Sequence, residues 1–155
     1  MTTGGQEEVS GLEAHLGYWL RLVSNQVSHA FRLKVEAEGV SVSEWVVLRE
    51  LYRLGTGSPG SLVKSLGMTK GAVSKLIDRL EEKGLAIRSP SEVDRRHQAV
   101  ALTAAGQALV PRLAHLADAN DHEFFGHLPP PVRDELLRVL QQLARTHHLT
   151  SAPID

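Results

Sequence analysis

One polar helix face combines the residue types that contact nucleic acid. In the stretch 69–84, apolar residues recur at i, i+3, i+4 and i+7, which predicts a helix with one buried face: Val73, Leu76, Ile77 and Leu80. The opposite face carries small, hydroxyl and charged side chains: Lys70, Gly71, Ser74, Lys75, Asp78 and Arg79. Hydroxyl and cationic groups bind base edges and phosphates. We therefore predict a nucleic-acid-contacting helix, capped by Thr69 and ended by Gly84.

Histidines offer a second kind of chemistry. His115, Asp118 and His122 recur at spacings of three and four, which places them on one helical face, and His127 follows closely. Side chains at this spacing can bind zinc. The sequence assigns no third and fourth ligand, however, and His147 and His148 show that histidine also occurs in a surface tail. A zinc-responsive protein stays an alternative, but we assign no metal ligand and no cofactor.

Catalytic arrangements are not evident. Serine, histidine and aspartate all occur, but they form neither a nucleophile elbow nor a pair of catalytic acids. Residues 55–60 match the glycine spacing of a dinucleotide-binding loop, yet they follow a predicted helix instead of a strand, and Pro59 removes a backbone donor. We expect a turn at this segment and no enzymatic activity.

The elements around the polar helix have an informative order. Residues 61–67 predict a short helix that ends at Gly67, one or two residues before the polar helix, as in a helix-turn-helix. Residues 85–88 and 97–102 predict two strands joined by a polar turn. A hairpin directly after the second helix of such a pair is a wing.

This order resembles the MarR family of bacterial winged helix-turn-helix transcriptional regulators. Four segments between about residues 12 and 143 carry the resemblance: Trp45-Val46-Val47-Leu48, the helix 69–84, Asp94-Arg95-Arg96, and Leu102-Thr103-Ala104-Ala105-Gly106. The resemblance implies a homodimer on pseudo-palindromic double-stranded DNA, usually a repressor that a small molecule releases. It also implies that Asp94 orients Arg96. The candidate DNA-contacting residues are Ser61, Thr69, Lys70, Gly71, Ser74, Lys75, Arg79, Arg88, Asp94, Arg95 and Arg96.

Long amphipathic helices flank the helix-turn-helix and its wing, here called the head, on both sides. Apolar residues at spacings of three and four predict a helix of about seven turns over residues 11–38. Two further helices follow the wing, one from Thr103 to about Phe125 with a kink expected at Pro111, and one after Pro129. These faces exceed what a small head can cover, so we predict dimerisation, with packing along its own domain as the alternative for the first helix. The candidate dimerisation residues are Leu12, Leu16, Trp19, Val23, Val132, Leu136 and Leu140.

A helix from Glu44 to about Leu54, capped by Ser41 or Ser43, is predicted to bury Trp45, Leu48, Leu51 and Tyr52. Aromatic rings give flat apolar contact to a ligand. The candidate residues for a small apolar or aromatic effector are therefore Trp19, Trp45 and Arg49, although core packing is the alternative for both tryptophans.

The predicted fold class is mainly α-helical with a small β-hairpin wing. A chain of 155 residues suits one core. We expect one domain at 11–150, with a winged-helix DNA-binding head at 41–103 and dimerisation helices at 11–38 and 104–149. A disordered tail is expected at 1–10 and a frayed one at 150–155.

Charge and composition favour some classes of function and exclude others. The net charge is −1, but residues 61–97 carry eight basic and five acidic side chains, so this part is positive and the rest is acidic. Such a distribution steers DNA to one surface. Without cysteine, disulfides and thiol redox sensing are excluded. No apolar run is long enough for a membrane and no signal peptide is evident, so we expect a cytoplasmic protein. A winged-helix module that binds protein remains an alternative, but its surface should be more apolar and aromatic.

Overall fold

The computed structural model describes residues 7–94 and 96–154. In these ranges a 3₁₀ turn at Leu12–Ala14 precedes six α-helices: α1 (Leu16–Ala37), α2 (Val42–Leu54), α3 (Pro59–Leu66), α4 (Lys70–Glu82), α5 (Ala104–Phe125) and α6 (Pro130–Thr146). The strands are β1 (Thr56–Gly57), β2 (Ala86–Pro90) and β3 (Gln98–Leu102). The predicted class, mainly helical with a winged hairpin, is confirmed. Throughout the described ranges, every helix is too short or too polar to cross a membrane.

One hydrophobic core orients the polar helix. It joins the inner faces of α2, α3, α4 and β3 to one end of α1 and the first half of α5. The largest of its fully buried side chains include Leu48, Leu51, Leu62, Ile77 and Leu80. Burying a side chain of this size contributes about 1.5–3 kcal/mol. The rotation of α4 about its axis is therefore fixed, with Val73, Leu76, Ile77 and Leu80 inward as predicted.

The sheet contains one strand that the sequence did not predict. Its antiparallel order is β1-β3-β2, with Thr56 opposite Ala101 and Ala86 opposite Leu102. The turn expected at 55–60 is thus wrong in part, because Thr56 and Gly57 pair with β3. Two residues are too few for a periodic pattern. The wing strands also differ from prediction at their ends, since β2 continues to Pro90 and β3 begins at Gln98.

Side-chain caps set three helix starts as predicted. The hydroxyls of Ser41, Thr69 and Thr103 accept the backbone N–H three residues later, at 3.1–3.2 Å. Each satisfies one donor that a helix start leaves unpaired. Gly126 follows α5 and Pro130 begins α6, also as predicted.

The start of α5 fits closely against the chain that follows α4. Thr103 donates its hydroxyl to the Gly84 carbonyl at 2.6 Å and its backbone N–H to the Leu85 carbonyl at 3.0 Å. A Cβ added at Gly106 would lie 2.2 Å from the same Leu85 oxygen, so a larger residue would have to move backbone. This contact connects the start of α5 to the end of α4 and gives the Leu102–Gly106 motif its physical basis.

Three predictions about the flanking segments need correction. The first helix does not run unbroken from residue 11, because His15 is extended and the Trp19 ring nitrogen donates to the Glu13 carbonyl at 2.9 Å, which holds the 3₁₀ turn against α1. Tyr52 is exposed, and Val47 is buried on α2 in its place. Residues 151–154 were expected to fray, but Ala152 and Ile154 pack against the core. Asp155 and residues 1–6 lie outside the described ranges.

Candidate nucleic-acid interface and effector cavity

Helix α4 presents the predicted polar face to solvent. Its candidate side chains are all exposed: Lys70, Ser74, Lys75 and Arg79, with Gly71 between them and Thr69 at the cap. No heavy atom lies within 4 Å of the position of a Cβ at Gly71, so a ligand can approach the backbone there. The face thus offers hydroxyl and ammonium donors along one side of a rigid helix.

Several cations of this surface form no ion pair. Among the described residues of 61–97 these are Lys64, Lys70, Lys75 and Arg79. The carboxylates of Asp78, Glu81 and Asp94, by contrast, are each paired with an arginine. Cations without a protein partner are free to meet phosphates.

Arg88 is held by protein groups and does not extend into solvent. Its Nη1 lies 2.5 Å from both Asp78 Oδ1 and Glu81 Oε1, and its Nη2 donates to the Ser74 carbonyl at 3.2 Å. Partial burial acts to lower the pKa of the Arg88 guanidinium, but the bonds to Asp78 and Glu81 outweigh it and raise that pKa. This side chain fastens β2 to α4 and pairs with the Asp78 carboxylate on the exposed face of α4, while its predicted contact with DNA stays a prediction.

Ser61 is likewise engaged within the protein. Its hydroxyl accepts the Ser58 N–H at 2.9 Å, while the Ser58 hydroxyl accepts the Ser61 N–H at 3.0 Å. This reciprocal pair is a capping box, and it starts α3 at Pro59, two residues before the predicted start. The Ser61 side chain therefore has a structural role at the start of α3, and its predicted DNA contact stays a prediction.

The wing carries the oriented arginine that the resemblance implied. Arg96 donates from its backbone N and its Nε to Asp94 Oδ1, both at 3.1 Å, and from Nη2 to Oδ2 at 2.9 Å. The Arg96 side chain is nevertheless 87% exposed. Its hydrogen bonds lower the pKa of the Asp94 carboxyl. Arg95, the other predicted wing contact, lies outside the described residues.

Three exposed residues of the head were missed as candidates. Val93 is 98% exposed at the wing tip, and the His97 side chain beside it is 74% exposed. Lys64 is exposed on α3. Val93 was correctly placed in the turn between the two strands, and that position was the available signal; His97 was assigned to the returning strand, which begins at Gln98.

A cavity of about 920 Å³ lies between α1, α2 and the C-terminal residues. Trp45 and Phe31 form part of its wall, with their rings 6.4 Å apart in an edge-on arrangement. Arg32 lines it too and lies 3.0 Å from His29 Nδ1. The cavity thus combines aromatic surface with a guanidinium.

Only one of the three predicted effector residues lines this cavity. Trp45 does, whereas Trp19 bonds to the Glu13 carbonyl and Arg49 lies 5.9 Å from the Tyr52 ring centroid. Trp19 and Arg49 do not line this cavity, and their predicted role in effector binding stays a prediction.

The histidine cluster does not assemble into a metal site. Across residues 7–94 and 96–154, no three side chains of histidine, aspartate or glutamate come close enough together to hold an ion. His115, Asp118 and His122 share a face of α5, as predicted, but no further ligand joins them.

Comparisons with known proteins show which family the chain resembles. The model of the MarR family matches residues 40–98, which run from the start of α2 to the wing. The chain is 28% identical over 131 residues to the HTH-type transcriptional repressor Rv2887 of Mycobacterium tuberculosis, covering 84% of this chain and 94% of the relative. Two solved structures are similar over 88% of this chain at 26% identity. One is Bordetella bronchiseptica BpsR, whose DNA binding is regulated by 6-hydroxynicotinic acid (TM-score 0.76, 98% of that chain), and the other is Rhodococcus jostii CouR bound to p-coumaroyl-CoA (TM-score 0.75, 96%). The winged helix-turn-helix and the oriented wing arginine thus occur in a chain that is similar to transcriptional regulators of the MarR family.

Proposed function

We propose that this protein is a homodimeric, sequence-specific regulator of transcription, acting in the cytoplasm as a repressor that a small aromatic compound releases from DNA. The observation that carries the proposal is the α4 face, where exposed Ser74, Lys75 and Lys70 lie beside a wing that holds out Arg96. Its relatives support regulation over catalysis: Rv2887 is a repressor, and the DNA binding of BpsR responds to a small acid.

The dimer is proposed from apolar faces that the chain itself leaves uncovered. Helix α6 contains no buried residue, and Leu16 on α1 is 81% exposed. All the candidate dimerisation residues are exposed: Leu12, Leu16, Trp19, Val23, Val132, Leu136 and Leu140. Apolar faces of this extent favour association. A second copy would cover them if residues 11–38 and 104–149 form the dimerisation part and 41–103 the DNA-binding head.

The effector site is proposed to be the cavity beside Trp45. Its aromatic wall suits a flat apolar ring, and the Arg32 guanidinium suits a carboxylate on that ring. Cavities of this size accommodate drug-sized ligands. The compounds associated with BpsR and CouR, a hydroxynicotinic acid and a coumaroyl thioester, are aromatic as well.

Base contacts by α4 can be tested with Ser74→Ala and Lys75→Ala. The two variants and wild type would be compared for binding to the DNA upstream of the coding region, and then for sequence preference by selection from random duplexes. Each variant should change the preferred bases and lose about 1–3 kcal/mol on the selected site if its side chain reaches a base.

The control for this experiment is Arg138→Ala, which removes an exposed cation of α6 that pairs with Glu135. It should leave affinity and preference unchanged. Unaltered preference in both α4 variants would refute base readout by this helix, and absence of binding to any duplex would refute the proposed function.

A further inference from the structure

Residues 151–154 contact both the helix-turn-helix and the effector cavity. They follow α6, return to the head and pack Ala152 and Ile154 against its core. A tail that merely ended the last helix would have no reason to fold back onto the head. The segment makes two sets of contacts, and each affects a different part of the head.

The first set of contacts caps the turn between α3 and α4. The Ala152 N–H donates to the Leu66 carbonyl at 3.0 Å. Leu66 is the last residue of α3, and carbonyls at a helix end lack partners within their own helix. Gly67 has φ 66°, and a Cβ there would lie 2.9 Å from Ser151 Cα, so the tail backbone lies directly on this turn. The tail thus completes the hydrogen bonding of the turn that sets α4 against α3.

The second set of contacts closes the cavity. Pro153 and Ile154 line it together with Trp45 and Phe31. The residue that caps the turn and the residues that wall the cavity are therefore adjacent in one short segment. A displacement of Pro153 and Ile154 therefore also displaces Ala152 and its hydrogen bond to Leu66.

We propose that residues 151–154 form a latch that couples the cavity to the DNA-reading helix. When docked, the latch caps α3 and keeps α4 in its DNA-binding position. A ligand that fills the cavity displaces Pro153 and Ile154, and the cap at Leu66 is lost with them. The segment is held by the Ala152 bond to Leu66, a long bond of 3.5 Å from the Ser151 hydroxyl to the Gly67 carbonyl, and a few apolar contacts. Little differential binding energy is therefore needed to move it. The effect on DNA rests on the proposed function; the docking itself does not.

The docking can be tested without DNA. A Trp19→Phe background leaves Trp45 as the one tryptophan, since the chain has two. Deletion of residues 151–155 should make Trp45 more accessible to acrylamide quenching and should speed amide exchange several-fold in a peptide covering 62–69. Light scattering and circular dichroism check that the variant stays folded and keeps its assembly state.

A matched pair of substitutions isolates the cap. Ala152→Pro removes the N–H that Leu66 accepts, whereas Ala152→Ser keeps it. Only the proline variant should speed exchange at 62–69 and weaken binding to the upstream DNA several-fold. If deletion and Ala152→Pro both leave exchange and quenching at wild-type values, the latch is refuted.

The DNA outcome separates the latch from the proposed function. Faster exchange with wild-type DNA affinity would overturn the coupling between the latch and the reading helix. If the unmodified chain binds no DNA, the proposed function fails, while exchange and quenching still decide whether the segment docks.

Discussion

At the wing tip, one carboxylate sets the direction of one guanidinium without burying it. Three Arg96 donors converge on Asp94, yet the arginine side chain keeps most of its surface in solvent. An exposed pair of this kind contributes little to folding. Its effect should therefore be seen in DNA binding, where a pre-oriented guanidinium meets the phosphates or a narrow minor groove.

Arg96→Ala should weaken binding to the preferred site and to random DNA alike. One lost phosphate contact should also flatten the slope of log affinity against log salt by about one unit. Asp94→Asn should show a smaller form of both changes, because it removes orientation and leaves the cation. Fluorescence anisotropy over a series of salt concentrations measures both quantities, with Arg138→Ala as control.

The same pair predicts how this contribution depends on pH. Hydrogen bonds from Arg96 lower the pKa of Asp94, so its pairing is present above the unfolded pKa and is lost as pH falls through the folded one. The ratio of wild-type to Asp94→Asn affinity should therefore stay constant down to about pH 4. A ratio that collapses between pH 8 and 6 would contradict this assignment to Asp94.

For single residues, the sequence shows which side of a helix is exposed but not which partner a side chain binds. Lys70, Ser74 and Lys75 were assigned from spacing alone, because helical periodicity states which side faces outward. The intramolecular partners of Arg88 and Ser61 were not predicted, because residue type does not reveal a partner. For Ser61 the partner was readable in principle, since Ser58 lies three residues earlier, at capping-box spacing. For Arg88 the partner could not be predicted, because it depends on how β2 lies beside α4.

At the scale of elements, Arg88 joins the wing to the recognition helix. Its guanidinium binds Asp78 and Glu81, which lie one turn apart on α4, from a position on β2. The contact holds the hairpin beside the helix and keeps the Asp78 charge from facing DNA phosphates unpaired.

Arg88→Ala should therefore weaken DNA binding although Arg88 itself is turned inward. We expect a loss of about three- to tenfold, or roughly 0.6–1.4 kcal/mol, on specific and random duplexes. Adding Asp78→Asn should restore part of it, because that change removes the exposed carboxylate. Fluorescence anisotropy measures the change in DNA affinity. Amide exchange in the wing measures whether the hairpin still lies fixed beside α4. If the double variant binds no better than Arg88→Ala, the electrostatic half of this explanation is wrong.

Elements differ in how well the sequence predicts them. Long helices with a steady apolar period were predicted with their caps, because period and capping residue are local signals. The strand β1 and the break at His15 were not predicted. Both depend on contacts made elsewhere, the first on pairing with β3 and the second on the Trp19 bond to Glu13.

At the scale of the whole molecule, the sequence indicated surplus apolar surface but not where each end of the chain goes. The outward faces of α1 and α6 follow from periodicity and from a core that needs only part of α1. The return of residues 151–154 to the head could not be predicted, because four residues carry no period and their partners lie far away in sequence. Assembly therefore rests on the helices, whereas coupling rests on the short segment.

The last prediction concerns the spacing of two reading heads. If α1 and α6 join two chains, two α4 helices enter successive major grooves about 10 base pairs apart on a two-fold symmetric site. Leu140→Asp should place a charge in that apolar contact, reduce the mass measured by light scattering toward the 16.9 kDa chain and weaken operator binding. Gln141→Asp, which adds the same charge one residue away, should keep both the dimer and its affinity.

The DNA itself provides the complementary test. Inserting about five base pairs between the half-sites turns one of them to the opposite side of the duplex, so a rigid dimer should lose the second contact and bind as weakly as it binds a single half-site. The connection of α5 to the head through Thr103 and Gly106 argues for such rigidity. Equal affinity for the original and the lengthened site would mean that the heads move independently, and the dimer would then not set the spacing of the operator.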